Sequence, residues 1–230
     1  MPAPPEAFLT ILPASAKVLR MNETVNHPLF ARFYALLSPK AEKAGVSEHR
    51  REMLEGLSGQ VIEVGAGNGL NFAHYGPSVT EVLAVEPEPF LRERARAAAA
   101  EAPVPVRIAE GTADQLPAED STFDAAVASL VLCSVPDQLR ALAELRRVLR
   151  PGGELRFYEH VVADTPRKAA LQRRADDWGI WPRVFGGCHV ARDTLAAIES
   201  SGFAVERVRR FDFKGGPVSI PHIIGVARRQ

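Results

Sequence analysis

Cysteine is nearly missing from this 230-residue chain: Cys133 and Cys188 are the whole supply, and they form no Cys-x-x-Cys pair. That spacing gives no sign of a disulfide framework or a zinc site, so no metal is expected, and a reducing cytoplasm suits the composition. Long hydrophobic runs are missing too. No apolar stretch reaches the roughly 20 residues a membrane helix needs. The N-terminus shows neither a basic leader nor a cleavage site, only Phe8-Leu9-Thr10-Ile11-Leu12 broken by Pro13, so the expectation is a soluble protein without a membrane anchor. Charge of one sign is also lacking, since 28 Lys and Arg balance 28 Asp and Glu. No basic field is left for nucleic acid, and small neutral or weakly charged substrates are favoured. No internal repeat or low-complexity segment is evident. The 46% hydrophobic content is ample for the core of one α/β domain, with or without a modest cap.

The rest of the chain is organised around Val61-Ile62-Glu63-Val64-Gly65-Ala66-Gly67-Asn68-Gly69-Leu70-Asn71-Phe72. A β-branched run ends beside an acid, passes through glycine at every second position and leads toward a helix, as a parallel strand does when it hands over to a ligand-binding turn. A dinucleotide fingerprint wants Gly-x-Gly-x-x-Gly; here the third glycine comes one residue early, with Leu70 in its place. Gly-Lys-Ser/Thr is absent as well, which argues against a phosphate cradle.

Upstream, Pro2, Pro4, Pro5 and Pro13 keep residues 1 to about 20 from forming a long helix, and they read as an arm over a cleft. A helix is expected from Pro28 through Leu37, with apolar residues at 29, 30, 33, 36 and 37, and another over Ser47–Leu57, whose run Glu48-His49-Arg50-Arg51-Glu52 reads as a solvated face. Downstream, a helix is expected over Leu70–Tyr75. Glu81–Pro87 reads as a second strand that places Glu86 beside the glycine loop, 21 residues after Gly65, where a carboxylate can accept hydrogen bonds from two ribose hydroxyls. Pro89–Ala102 is an Ala- and Arg-rich helix whose Arg92, Arg94 and Arg96 read as exposed. Strands follow at Val104–Ala109 and from Ser121 through Ala128, the second leading into the neutral loop Ser129-Leu130-Val131-Leu132-Cys133-Ser134. Pro136–Leu149 is amphipathic and is broken by Pro151-Gly152-Gly153. Glu154–Glu159 starts a fifth strand that delivers Glu159-His160 to the same edge. Residues 164–190 read as an insertion over the cleft, Asp193–Ser201 as a helix, and Phe203–Phe211 and Ile220–Arg228 as strands joined through Lys214-Gly215-Gly216-Pro217. The order predicts an α/β fold: a doubly wound, seven-stranded, mostly parallel sheet with N-terminal helices and a lid insertion. We divide it into residues 1–45, an arm and helix covering the cleft, and 46–230, the ligand-binding domain.

Taken together, the motifs resemble the class I S-adenosylmethionine-dependent methyltransferases, whose sheet is Rossmann-like. Glu63-x-Gly65-x-Gly67-x-Gly69, Glu86, Gly111-Thr112-Ala113-x-x-Leu116-Pro117, Phe123-Asp124 and Val148-Leu149-Arg150-Pro151-Gly152-Gly153 match that family's motifs in order. The resemblance implies S-adenosylmethionine as cofactor. Gly65, Gly67 and Gly69 would let backbone approach its methionine portion, with Asn71 and Phe72 beside them, and Glu63 would fix the loop and the ligand's amino group. Glu86, with Pro87, would take the ribose; Thr112 and Ala113 would border adenine; Ser129 and Leu130 would complete the pocket. Many relatives carry Asp where Thr112 stands, so Asp114 is an alternative contact for the adenine amino group. A narrower likeness, through Leu130–Val135, Glu159-His160-Val161, Trp181 to Cys188 and Pro221-His222-Ile223, is to a methyltransferase-like branch that includes membrane-associated alkyl-thiol methyltransferases. The hydrophobic anchor of those membrane-bound relatives is expected to be missing here.

The expected activity is methyl transfer to a small-molecule acceptor, with a thiol slightly ahead of O-, N- or C-methylation of a metabolite. A noncatalytic cofactor-binding module and a dehydrogenase are the rival readings. No base-methylating Asn/Asp-Pro-Pro-Tyr/Phe motif follows the fourth strand, which again disfavours nucleic acid. His160 is the best-placed base, with His189 and His222 behind it. Cys133, His160, Trp178, Trp181, His189 and His222 are the expected acceptor-side residues, and Phe30, Phe33 and Tyr34 are candidates for the same mouth. Oligomeric state is not legible.

Overall fold

The computed structural model describes residues 28–213 and 219–230. The N-terminal arm and the Lys214–Pro217 loop lie outside the described residues. Seven strands form one sheet: β1 (Gly59–Val64), β2 (Val79–Val85), β3 (Val106–Ala109), β4 (Phe123–Ser129), β5 (Leu149–His160), β6 (Phe203–Phe213) and β7 (Ile220–Arg229). Their order is β3-β2-β1-β4-β5-β7-β6. β1 to β5 pair in parallel, and β7 lies antiparallel to both β5 and β6. The sheet grows outward from β1 in both directions, so the crevice at the carboxyl ends of β1 and β4 is the topological switch point where such sheets bind ligands.

The parallel strands are apolar almost throughout because both faces are covered. Ile62, Val64, Leu83, Ala126 and Phe157 pack with Leu142 and Leu145 of α4 (Gln138–Val148) and Ile198 of α7 (Thr194–Ser200). Val61, Val82, Ala84, Val127 and Tyr158 pack with Met53 and Leu54 of α2 (Ser47–Leu54), with Phe72, and with Ala95 of α3 (Pro89–Ala100). α1 (Pro28–Ala41) precedes α2, and the chain kinks between them at Gly45, whose φ is +118°. Buried Arg156 of β5 ties α2 to the sheet by donating to the carbonyls of Met53 and Glu55.

Several expected elements differ in detail. The helix expected over Leu70–Tyr75 is a single turn, Phe72–His74, because Gly76-Pro77 leaves no length to propagate it. β5 starts at Leu149 rather than Glu154: Pro151-Gly152-Gly153 ends α4 but continues as an irregular extended segment, with the register against β4 shifting between Phe123 and Ala125. The insertion contains α5 (Pro166–Asp177) and the short α6 (Ile180–Val184). Pro166 sits in the first turn of α5, where its missing N–H costs nothing. Leu142→Ala, in the fully buried layer under α4, is expected to lower unfolding free energy by about 2–5 kcal/mol; urea denaturation followed by circular dichroism measures it.

Candidate functional site

The turn leaving β1 alternates into the left-handed region at Gly65, Gly67 and Gly69, with φ of +60°, +58° and +81°. A side chain at Gly65 would come within 2.5 Å of Val131, so the β1 and β4 loops touch there. At Gly69 it would come within 2.7 Å of Ala98 and the Phe72 ring, so this glycine serves the packing of α3 and Phe72 rather than lining open space.

Glu63 anchors the turn. Its fully buried carboxylate accepts from Asn71 Nδ2 at 2.8 Å and from the Tyr75 hydroxyl at 2.6 Å. Burial pushes its pKa up to about 7 against these two hydrogen bonds and the nearby Arg50 cation. Arg50 itself is only 5% exposed. Its Nη1 donates to Asn71 Oδ1 at 2.8 Å and to Ser129 Oγ at 3.1 Å, and its Nε pairs with Glu42 at 3.0 Å. The solvated-face reading of the 48–52 run is therefore wrong at Arg50. Val46, Arg50, Met53 and Leu54 share one helical stripe, and membership of that stripe was the signal for its burial. Arg92 is the second correction. Expected exposed, it is 8% exposed and donates to the carbonyls of Glu86 and Pro87, both at 2.9 Å, and to Glu110 at 2.8 Å, while Arg94 and Arg96 are exposed as expected.

At the end of β2, Glu86 is buried; one carboxylate oxygen accepts from Gly67 N–H at 2.7 Å and the other from Glu88 N–H at 2.9 Å. Burial raises its pKa, opposed by those two backbone donors. Thr112 pairs with Gln115 in a tight turn after β3, next to Ala113. Asp114 faces Arg140, Oδ2 to Nε 3.9 Å, so its carboxylate is directed to a surface cation. At the end of β4, Ser129 accepts from Arg50, and Leu130, a non-glycine at φ +59°, donates its N–H to the Tyr158 carbonyl at 2.7 Å. A leucine in that conformation is strained by about 1–3 kcal/mol and persists only where its surroundings fix it.

The loop expected on the acceptor side is arranged by Glu159, which sequence reasoning placed at the edge without giving it a role. Fully buried, it accepts from the N–H groups of Val131, Leu132 and Cys133 at 2.9, 2.9 and 3.1 Å. Burial holds its pKa well above the usual carboxylate range. The loop so held places Cys133 Sγ 3.5 Å from His160 Nδ1, while Cys188, delivered by the insertion, lies 3.2 Å from the same nitrogen and 3.8 Å from Cys133 Sγ. Both cysteines are free and buried, with Val190, Trp181 and Ile220 packed on them. The Cys188 contact and burial push the Cys133 thiol up. Burial works against the His160 imidazolium, but Cys133 outweighs it and the pKa is raised.

Other acceptor-side expectations separate. His222 is buried, its ring centroid 4.5 Å from that of His160 and its Nδ1 2.8 Å from the Ile220 carbonyl. Burial, reinforced by His160, pushes its pKa down to about 3, so it stays a neutral packing group and cannot serve as a base poised near pH 7. His189 contributes main chain, its N–H donating to the Cys133 carbonyl at 2.8 Å, while its ring lies 3.9 Å from Asp176. Trp178 is 71% exposed at the end of α5, away from the cysteine cluster that Trp181 covers. From α1, Tyr34 packs on Gly67 and Phe30 on Gly186, whereas Phe33 is exposed.

A βαβ sheet with this strand order, an acid-anchored Gly-x-Gly-x-Gly turn and a second buried acid ending β2 defines a class I S-adenosylmethionine-dependent methyltransferase. The chain belongs to that family: the family model described as "Methyltransferase domain" matches residues 62–157. Thiol S-methyltransferase TMT1B of Mus musculus is 34% identical over 211 residues, 86% of this chain and 85% of that protein. Thiol S-methyltransferase TMT1A of Homo sapiens is 33% identical over 182 residues, 75% and 72% of the two chains. Among solved structures, an S-adenosylmethionine-dependent methyltransferase of Thermotoga maritima superposes with a TM-score of 0.65 at 22% identity, covering 88% of this chain and 99% of that one. Another from Mesorhizobium loti gives 0.59 at 23%, covering 81% and 98%. The structural matches speak to the fold alone.

Because the folded-state pKa of Glu63 lies above its ordinary value of 4.5, the folded chain binds the extra proton between about pH 4.5 and 7. The stability contributed by the protonated acid is present below that window and is lost as pH rises through it. Relative to Glu63→Gln, the parent chain should lose on the order of 3 kcal/mol between pH 4.5 and 7.5, read from urea unfolding at each pH.

Proposed function

We propose that this enzyme transfers the sulfonium methyl group of S-adenosylmethionine to the sulfur of a small thiol. The observation that carries the reading is the acceptor end itself, where two sulfurs and an imidazole converge in a buried apolar cluster beside the loop that touches Gly65. The thiol S-methyltransferase relatives support it, since the matched region spans most of both chains. On the donor side, Gly65 and Gly67 would receive the methionine portion, Glu86 and Pro87 the ribose, Thr112 and Ala113 the adenine, and Ser129 and Leu130 the near wall. Asn71 and Phe72, expected beside the ligand, are instead fully buried, the Asn71 amide taken up by Glu63 and Arg50 and the Phe72 ring by the core, so they support the turn from behind. Glu63 acts by holding Asn71 and Tyr75, so its part is to position the loop.

Transfer from a sulfonium is an in-line displacement that neutralises charge, so the enzyme's work is alignment and exclusion of water. Alignment alone is worth roughly 7–11 kcal/mol in favourable systems. A thiol of pKa near 8.5 is already a few per cent thiolate at pH 7, an advantage that hydroxyl acceptors lack. His160 turns Nδ1 onto Cys133 and Cys188, so its part in acceptor ionisation runs through those sulfurs. No helix among the described residues is long and apolar enough to cross a membrane. The two free thiols fit a reducing cytoplasm.

A labelled-methyl assay over thiols, phenols and amines should show transfer to alkyl thiols. Label appearing only on phenols or amines would remove the thiol assignment. Glu86→Ala should weaken S-adenosylhomocysteine binding at least about tenfold by calorimetry, as loss of a hydrogen bond to a charged group implies; unchanged affinity would remove the ribose assignment.

A further inference from the structure

Cys133, His160 and Cys188 come from three separate places: the loop after β4, the last residue of β5, and the turn that follows α6. The turn is built for this approach. Gly187 has φ +87°, and a Cβ there would lie 2.8 Å from the Ser134 carbonyl, so only glycine lets the insertion close on the Cys133 loop. The three ligand-type atoms all lie within 4.8 Å of one another. A tetrahedral zinc ion about 2.3 Å from each thiolate and about 2.0 Å from an imidazole nitrogen sets the sulfurs about 3.8 Å apart and each sulfur about 3.5 Å from the nitrogen. The observed separations are 3.8 Å between sulfurs, and 3.5 and 3.2 Å from sulfur to Nδ1.

We propose that Cys133, Cys188 and His160 bind one zinc-type ion and that its fourth coordination position takes the sulfur of the acceptor thiol. Two thiolates, a neutral imidazole and an open fourth position form the ligand pattern of a catalytic zinc site, and soft sulfur ligands select zinc over magnesium or calcium. This deepens the thiol reading and rests on it. As the acceptor R–SH binds the ion, it releases its proton to water. A lone pair on the bound sulfur forms the new S–CH3 bond while the donor's S–CH3 bond breaks. That electron pair stays on the donor sulfur, giving S-adenosylhomocysteine, and the neutral thioether leaves the ion. No oxidant or reductant is involved.

The test uses the full chain, reduced, with two free thiols counted after denaturation. Titration with cobalt(II) should give one ion per chain, a near-ultraviolet sulfur-to-cobalt charge-transfer band and the strong visible bands of tetrahedral cobalt, with zinc displacing cobalt mole for mole. Cys133→Ser and Cys188→Ser should each diminish the charge-transfer band, and His160→Ala should weaken zinc binding at least about tenfold in competition with a chromophoric chelator. Binding of S-adenosylhomocysteine verifies that each variant is folded, and Cys188→Ser, outside the β4 and β5 core, serves if Cys133→Ser does not fold. Adding a small alkyl thiol should shift the visible bands, whereas a phenol or an amine should not. A reduced chain that binds S-adenosylhomocysteine but develops no charge-transfer band overturns the metal site, and thiol methylation then stands or falls separately on the labelled-methyl assay. Visible bands indifferent to the thiol overturn the fourth-position assignment.

Discussion

Three parallel strands end in, or just before, a carboxylate that the fold buries and then occupies with hydrogen-bond donors from the loops. Glu63 holds the side chains of Asn71 and Tyr75, Glu86 holds the N–H groups of Gly67 and Glu88, and Glu159 holds three successive N–H groups from Val131 to Cys133. A buried carboxylate without partners would cost several kcal/mol. Each loop is therefore tied to one arrangement, because leaving it strands an acid. The sheet edge is rigid where loops are ordinarily mobile, as a reaction governed by alignment requires.

The three acids divide the work. Glu63 and Glu86 together shape the glycine turn after β1, and Arg50 links it to the end of β4 through Asn71 and Ser129. Glu159 shapes the Cys133 loop by holding three of its N–H groups. Leu130, strained at φ +59°, is the pivot between them: its N–H is held by the Tyr158 carbonyl on β5, while the next residue, Val131, is held by Glu159 and rests on Gly65. The loops after β1 and β4 are thus in contact through Val131.

Much of this was legible in the residues. Alternating glycines after a β-branched run, an acid at the end of the next apolar run and the Pro-Gly-Gly break fix the strand-turn rhythm locally, since φ preference and burial act over a few residues. The seven-stranded, mostly parallel sheet follows from that rhythm, as do the helices behind it. The failures share a cause. Arg50 and Arg92 read as exposed because charge predicts exposure, yet each lies on the apolar stripe of its helix and finds acceptors only in the folded chain. Trp178 and Trp181, three residues apart, could not be told apart by type. α5 ends at Asp177, leaving Trp178 in solvent, whereas Trp181 in α6 turns onto the cysteines.

The sequence by itself determined the class of fold, the position of the glycine turn after β1 and the acid that follows β2, because these depend on residues near one another in the chain. It was silent on the pairing of Cys133 with Cys188, 55 positions apart, and on the convergence of both upon His160. Only tertiary structure decided that, since β4 and β5 must lie side by side and the insertion must fold back through Gly186-Gly187 before the two sulfurs can meet. Spacing rules recognise sulfur ligands carried on one local turn. Here the two sulfurs and the imidazole are brought together by packing across three segments, which leaves no local signature.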